Sequence, residues 1–319
     1  MSSRPLAIMT LISLLCVRSY SQQGAPSSNA GESAVTLAIN RIRPSVVQVM
    51  YTVQYAYMTP GGPKAVAADS LPAPMGSGFL ADATHVITAR HVVEAIESLK
   101  TDLTSRPVGA DGPIDPQSIK IQIFVGFASQ QSLADHSLIL GNFITVPTTI
   151  VGRSETADVA ILQIAPGALD NVAKTRPITI GKATSQPIKP VIPKLANGLA
   201  DEGEMIGASG FPLRMPSLVT NVGWLGSKIA VSADTKEVVQ VGALELNHGN
   251  SGGPVYRIRD AAIIGIAVAF RPAPGEAQFQ AGGYLIRGEV ELNSGLTEIV
   301  PIREAQDLLS KLKATARVE

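Results

Sequence analysis

The chain has 319 residues, of which 45% are hydrophobic and 16% are charged, and its 26 basic residues balance 26 acidic ones. Such a composition can bury a sizeable core, so it excludes an intrinsically disordered chain. Because the basic residues are also scattered, the sequence carries no electrostatic footprint for nucleic acid and no basic patch for an anionic lipid surface. We therefore expect no nucleic-acid partner.

Residues 1–21 are typical of a secretory signal peptide. Arg4 precedes an apolar run at residues 6–17, and the small-x-small sequence SYS ends at Ser21. The run is too short and too interrupted to span a bilayer, and the alternative is a disordered or membrane-anchoring N-terminus. We expect an exported protein, periplasmic or secreted, without stable membrane insertion after signal removal. Cys16, the only cysteine, would leave with the signal, so the mature chain would form no disulfide.

The rest of the chain consists mainly of short β-type runs separated by turn residues. A polar leader at residues 22–32 is expected to be flexible, and the apolar spacing from Val35 predicts a short helix that ends near Pro44. Further helices are predicted only from His91 and after Val300. Strands are predicted at residues 45–57, 76–82, 85–89, 119–127, 136–146, 158–164, 204–211, 217–233, 237–246 and 261–270. This pattern favours an all-β barrel or sandwich over a parallel α/β sheet.

Ser251 lies in the sequence HGNSGGPVY, which could form only a tight turn, because turns use glycine and asparagine. The same residues also suit a nucleophilic serine. Gly249 would allow its backbone N-H and that of Ser251 to converge on an oxyanion hole, with Asn250 between them. A serine hydroxyl is a weak nucleophile, so this interpretation requires a base and a group that orients the base.

Four histidines are available as the base. His85 and His136 have no distinguishing context, and His248 would lie on the oxyanion loop itself, so we predict that it is a loop or pocket residue. His91 follows a strand that ends in small residues and precedes a helical turn, so its imidazole can be held beside a cleft. A lone histidine there would more often be structural. Asp158 precedes an apolar strand and is the candidate orienting carboxylate, although such an aspartate is usually a turn or cap residue.

The sequences VITARHVV, ADVAILQI and HGNSGGPVY, in the order His, Asp, Ser, resemble the signatures of trypsin-like, chymotrypsin-fold serine proteases. The sequences INRIRPSVVQV, GSGFL and GASGFP make the chain look most similar to the cysteine-free HtrA/Deg-like branch. The resemblance implies two six-stranded antiparallel β-barrels with a short N-terminal helix and a C-terminal helix. The proline-rich central loop KATSQPIKPVIPKLANGLADEGE is the predicted domain boundary. We expect the N-terminal barrel at residues 33–185, a linker at residues 186–200, and the C-terminal barrel with its helix at residues 201–319.

The resemblance also implies the chemistry. Ser251 would be the nucleophile, His91 the general base and then acid, and Asp158 the orienting carboxylate, with the oxyanion hole at Gly249, Asn250 and Ser251. The protein would be an exported endopeptidase that hydrolyses proteins or peptides through an acyl-enzyme, without a cofactor or metal. We expect no PDZ domain of the kind that many HtrA-like proteins carry, because the 68 residues after Ser251 should be used by the remaining strands and the final helix. The sequence does not indicate an oligomeric state.

Several residues depart from the family pattern or concern specificity. Asn250 replaces an aspartate that pairs with a newly freed N-terminus in digestive enzymes, so that activation switch is not expected. Glu245 falls near the base of the primary specificity pocket, where it would favour Lys or Arg side chains, or else it faces solvent. The segment 267–270, with Ala267, Val268, Ala269 and Phe270, is expected to pair with substrate backbone, and Phe270 to close the pocket. The long segment between His91 and Asp158 is expected to cover the cleft or bind a partner.

Two other functions were considered. A protease fold that binds or scaffolds without useful turnover fits the same motifs, because a sequence does not show whether three side chains converge. An esterase on another fold would need a strand-turn-helix G-x-S-x-G context and the order Ser, Asp, His, which this chain lacks. Metal-dependent hydrolysis is disfavoured because no two histidines have ligand-like spacing.

Overall fold

The computed structural model describes residues 33–59, 61–66, 72–105, 112–132, 144–176, 178–180, 183–215, 217–232, 237–281 and 284–316. The predicted signal peptide at residues 1–21 and the predicted leader at residues 22–32 lie outside the described residues, as does part of the segment between His91 and Asp158. The backbone of Phe270 is described but its side chain is not.

Eight of the strands precede residue 165. They are β1 Val46–Thr59, β2 Gly62–Val66, β3 Ala73–Leu80, β4 His85–Thr88, β5 Lys120–Phe127, β6 Ser129–Ser132, β7 Ile144–Arg153 and β8 Ala160–Ile164. Six of them follow one another in the order β1-β3-β4-β8-β7-β5, and β5 pairs back with β1. Val47 therefore faces Gly78 of β3 on one side and Phe127 of β5 on the other. All these pairings are antiparallel. Because β5 also pairs with β1, the six strands close a barrel.

The remaining strands form a second barrel and a small sheet. They are β9 Ile178–Ile180, β10 Ala183–Pro187, β11 Met205–Gly210, β12 Val219–Val231, β13 Val238–Ala243, β14 Pro254–Arg257, β15 Ile263–Ala281 and β16 Tyr284–Pro301. Strands β11-β12-β13-β16-β15-β14 close the second barrel, whereas β6, β10 and β9 form a separate three-stranded sheet. The outer parts of β15 and β16 continue beyond the barrel as a paired ribbon. The prediction of two six-stranded antiparallel barrels is confirmed.

Four helices lie in the described residues: α1 Ala34–Ile42, α2 Arg90–Thr104, α3 Ala168–Lys174 and α4 Ile302–Thr315. The side chain of Ser33 caps α1 by accepting a hydrogen bond from the backbone of Thr36. The sequence analysis missed α3, because this helix has only seven residues and carries little apolar periodicity. Among these helices, none is both long and apolar enough to cross a membrane.

The sequence analysis also missed β14 and β16. Strand β14 has four residues and follows directly on the glycine-rich turn, and β16 mixes charged and apolar residues along its outer half. These two strands form because of their pairing with neighbouring strands in the closed barrel more than because of the β-propensity of their own residues. The last strand of the first barrel ends at Ile164 and the first strand of the second begins at Met205. The domain boundaries between these residues stay predictions.

Each barrel has its own apolar interior. Phe79 and Leu162 in the first barrel, and Ile206 and Tyr256 in the second, are fully buried. Burial of each such side chain contributes about 2 kcal/mol relative to exposure. Gly207, in the sequence GASGFP, makes room for Tyr256, because a Cβ there would lie 2.8 Å from its ring. Substitution of Gly207 would therefore displace the largest buried side chain of the second barrel.

A charged cluster attaches α4 to the first barrel. Asp82, in the turn between β3 and β4, accepts hydrogen bonds at 2.9 Å from the backbone of Thr84 and of His85, and Lys313 of α4 lies 2.7 Å from its other oxygen. Burial alone would raise the pKa of Asp82. The hydrogen bonds from Lys313, Thr84 and His85, with the charge of His85, outweigh burial and hold the pKa of Asp82 well below its ordinary value.

A carboxylate with a depressed pKa stabilises the folded state above its unfolded pKa, and this contribution is lost as the pH falls. We predict that Asp82→Asn lowers the free energy of unfolding by about 1 kcal/mol at pH 7, a modest value because the site is partly exposed. The difference in Tm from the wild type should shrink as the pH falls below the ordinary value of 3.8.

Thermal unfolding between pH 3 and pH 7 measures this difference. Asp201→Asn is the matched control, because Asp201 pairs with Lys228 on the exposed surface. A Tm difference for Asp82→Asn that stays constant over this pH range would contradict the prediction.

Candidate active site

His91 lies in the first turn of α2, directly after strand β4. Ala89 has extended backbone and ends the strand, and Arg90 begins the helix, so the imidazole projects from a strand-to-helix junction. Asp158 holds His91 through both carboxylate oxygens: the His91 Nδ1 lies 2.6 Å from Oδ2, and the backbone N-H of His91 donates to Oδ1 at 2.9 Å. A proton on Nδ1 leaves the lone pair of Nε2 free to accept another proton.

Asp158 is buried at the start of β8 and accepts these bonds as an anion. Burial alone would raise the pKa of Asp158. The hydrogen bonds and charge of His91, with the charge of Arg90, nevertheless hold the pKa of this carboxyl below its ordinary value. An ionised carboxylate in this place fixes the ring orientation and stabilises a positive charge on the imidazole.

Ser251 follows the second-barrel loop that contains Gly249. Its side chain lines a cavity of about 540 Å³ that His91 and Asp158 also line. The Ser251 hydroxyl donates a hydrogen bond to the Val268 carbonyl at 3.2 Å, and within the described residues no hydrogen bond joins it to His91. Rotation of the hydroxyl away from Val268 would be required for proton transfer, and such bonds often form only when substrate is present.

The loop before Ser251 leaves two backbone donors available. Gly249 has a φ of 96°, and a Cβ there would lie 2.4 Å from the carbonyl oxygen of Phe211, so only glycine fits. The N-H of Asn250 donates to Asn247 at 3.1 Å, which closes the turn. Among the described residues, the N-H groups of Gly249 and Ser251 donate to no acceptor. Both can therefore donate to an oxygen of a bound substrate.

Ser77 in β3 holds this loop from the other barrel, and the sequence analysis did not assign it a role. Its buried hydroxyl donates to the Gly249 carbonyl at 2.6 Å and accepts from the N-H of Phe211 at 2.9 Å. Its own N-H donates to the Ser251 carbonyl at 2.8 Å. The signal in the sequence was a serine between two glycines in a strand, because Gly76 and Gly78 permit close approach on either side.

The predicted substrate-binding residues are placed as follows. His248 lies at the cavity and is exposed, and its carbonyl accepts a hydrogen bond from the Leu213 N-H at 2.6 Å. Its role in substrate binding stays a prediction. Ala267, Val268 and Ala269 line the cavity along β15. The side chain of Phe270, predicted to close the pocket, lies outside the described residues.

Glu245 does not reach the cavity. It is exposed, and its carbonyl accepts a hydrogen bond from the side chain of Asn221. This corrects its placement at the base of a pocket, because six residues of separation from Ser251 do not determine where the side chain points. The acidic residues that do line the cavity are Glu94, Asp158, Glu237 and Glu298. Of these, the sequence analysis had selected only Asp158.

The family model described as Trypsin-like peptidase domain matches residues 76–266, a range that contains His91, Asp158 and Ser251. Two solved structures are similar. "HtrA-type protease AlgWS227A with decapeptide" is 16% identical over 89% of this chain and 67% of that chain, with a TM-score of 0.49. "HtrA-type protease AlgW with decapeptide" is 17% identical over 87% of this chain and 66% of that chain, also with a TM-score of 0.49. This chain thus spans about two thirds of the length of each. No curated protein matches.

We predict that Ser77→Ala lowers kcat for an activated ester about tenfold, with little change in KM. The substitution removes both hydrogen bonds of the Ser77 hydroxyl, each worth about 1 kcal/mol, and so allows the peptide after Gly249 to rotate. Steady-state kinetics on the purified variant measure both constants.

Ser209→Ala is the matched control. This buried serine bonds Thr220 and Tyr256 rather than the loop, so its loss should affect stability and not kcat. Equal kcat values for the two variants would show that Ser77 only contributes to packing.

Proposed function

The chain belongs to the trypsin-like peptidase family, and from this premise we propose that it is a serine endopeptidase that cleaves peptide bonds through an acyl-enzyme intermediate. The observation that carries the proposal is the placement of His91, oriented by both oxygens of Asp158, at the cavity that also contains the Ser251 hydroxyl. A base, its orienting anion and a nucleophile at one cavity are the minimum that such chemistry needs.

In the proposed first step, Ser251 Oγ attacks the scissile carbonyl carbon while Nε2 of His91 takes the hydroxyl proton. Asp158 stabilises the imidazolium that forms, and the N-H groups of Gly249 and Ser251 donate to the oxyanion. His91 then gives its proton to the departing amine, which leaves the acyl-enzyme. Water attacks the ester carbonyl in the second half, with His91 again accepting and returning a proton, and the carboxyl product is released.

We propose that substrate backbone pairs with the strand segment 268–270. Pairing between β14 and β15 ends at Ile266, and Ala267 still bonds Gly252 and Gly253, at 2.7 Å and 2.9 Å. Beyond that point the same edge of β15 faces the cavity, where an extended peptide can add as a strand. A second cavity of about 480 Å³ is lined by Ser251 and by Pro74, Met75 and Leu213 among others, and we propose that it accepts the leaving peptide.

The enzyme is proposed to need no newly freed N-terminus for activation. Asn250 is buried, and its amide side chain cannot form the ion pair that an aspartate would form with an α-amino group. We also propose export, supported by the charge and apolar pattern of residues 1–21 and by the absence of cysteine from the sequence after Cys16.

The rival function is a binding or scaffolding protein with a silent protease fold. The observation in its favour is the hydrogen bond from the Ser251 hydroxyl to Val268 instead of to His91. In that case the cavity would still bind extended peptides, but no acyl-enzyme would form. The two functions differ in whether Ser251 is reactive.

A fluorophosphonate probe is expected to label the wild type and not Ser251→Ala, because the probe traps only an activated serine. His91→Ala should react several decades more slowly. Mass spectrometry of the labelled peptide locates the adduct, and cleavage of a peptide library reports the substrate preference. A folded wild type that stays unlabelled and cleaves no peptide would exclude the peptidase and favour the binding protein.

A further inference from the structure

We propose that Glu237, supplied by the second barrel, is a positioning residue that holds Asp158 and Arg90 of the first barrel in place around His91. The inference rests on the proposed function, because it concerns how the proposed base is kept ready. Glu237 lies one residue before β13, in the hairpin that follows β12. It would act through Asp158 and Arg90 rather than by contact with the reacting atoms.

The carboxylate of Glu237 bonds both residues. Its Oε2 accepts a hydrogen bond from the backbone N-H of Asp158 at 2.9 Å, and its Oε1 accepts from Nη2 of Arg90 at 3.3 Å. Its side chain is only 12% exposed. Its backbone carbonyl accepts from Ser232 at 2.8 Å, across the base of the hairpin, so the residue projects from a fixed point. A glutamate anchored in this way is better suited to position its neighbours than a glutamate whose side chain is free to move on the surface.

These bonds reach His91 along two routes. Arg90 directly precedes His91 in α2, and Asp158 bonds both the ring and the backbone of His91. Arg90 also donates through Nη1 to the Ser154 carbonyl at 2.8 Å, in the turn that leads to Asp158. Glu237 therefore closes a ring of contacts that joins the helix of the proposed base, the turn of its orienting carboxylate and the opposite barrel.

The chemistry explains why a carboxylate occupies this position. A buried backbone N-H costs free energy unless it has an acceptor, and a charged acceptor makes a stronger bond. Placing a second carboxylate beside Asp158 is unfavourable, and Arg90 offsets that repulsion. Burial, with the charge of Asp158, raises the pKa of Glu237 despite its bonds to Asp158 and Arg90. The charged residues that bond Glu237 include Arg90 and Asp158, and Arg90 also pairs with Glu94 at 3.5 Å.

Two substitutions separate the hydrogen bond from the charge. Glu237→Ala removes the acceptor and should lower kcat about tenfold while KM changes less than about twofold. Glu237→Gln keeps an acceptor for the Asp158 N-H and should restore most of kcat. Glu237→Gln also removes a negative charge beside Arg90, so the acid limb of the kcat/KM profile should move to lower pH by about half a pH unit.

The control is Glu97→Gln. Glu97 lies on the same helix as His91 and pairs with Arg153, but it contacts neither Asp158 nor Arg90 among the described residues. It should leave kcat and the pH profile unchanged. A second readout needs no turnover: in the Ser251→Ala background, the downfield proton NMR signal of the His91 Nδ1-H should broaden or shift with Glu237→Ala and persist with Glu97→Gln.

The outcomes are distinct. A rise in KM alone for Glu237→Ala would overturn the proposal and make Glu237 a substrate contact, since it lines the cavity. Kinetics, pH profile and NMR signal equal to those of Glu97→Gln would overturn it as well. If the wild type neither cleaves peptides nor reacts with the fluorophosphonate, the proposed function fails, and the NMR comparison still decides whether Glu237 positions His91.

Discussion

Ser77 bonds residues on the opposite side of the junction between the barrels, and the rest of the site depends on that junction. The proposed nucleophile Ser251 and the loop that contains Gly249 come from the second barrel, whereas His91 and Asp158 come from the first. Hydrogen bonds weaken steeply with distance and angle, so a small shift between the barrels would separate the groups. Ser77 limits such a shift, because its hydroxyl and backbone N-H bond the carbonyls of Gly249 and Ser251.

The contacts across the junction run in both directions. Ser77 extends from the first barrel to the oxyanion loop, and Glu237 extends from the second barrel to Asp158 and Arg90. Each contact satisfies buried backbone groups that would otherwise lack partners, which ties stability to the geometry of the site. The electrostatics follow the same arrangement. The charge of Arg90 acts to lower the pKa of both carboxyls: the pKa of Asp158 is held below its ordinary value, whereas burial still raises the pKa of Glu237.

Much of the fold could be predicted because its signals are local. The alternation of apolar and polar residues located most strands of both barrels, and the ordered His, Asp and Ser sequences selected three residues that the structure places at one cavity. Strand β14 and helix α3 were missed, because four and seven residues carry too little periodicity to be recognised alone. The prediction of two closed six-stranded barrels came from the family resemblance, because the residues of one strand do not show which distant strand it pairs with.

The sequence by itself determined which residue types were available: a histidine after a strand, an aspartate before one, and a serine among glycines that permit a positive φ at Gly249. Only the tertiary structure decided that Asp158 holds His91 through two bonds, that Glu245 is exposed and does not line the cavity, and that Ser77 and Glu237 bond the opposite barrel. The physical reason is that side-chain direction and long-range contact depend on strand register and barrel closure, which arise only when the whole chain is packed.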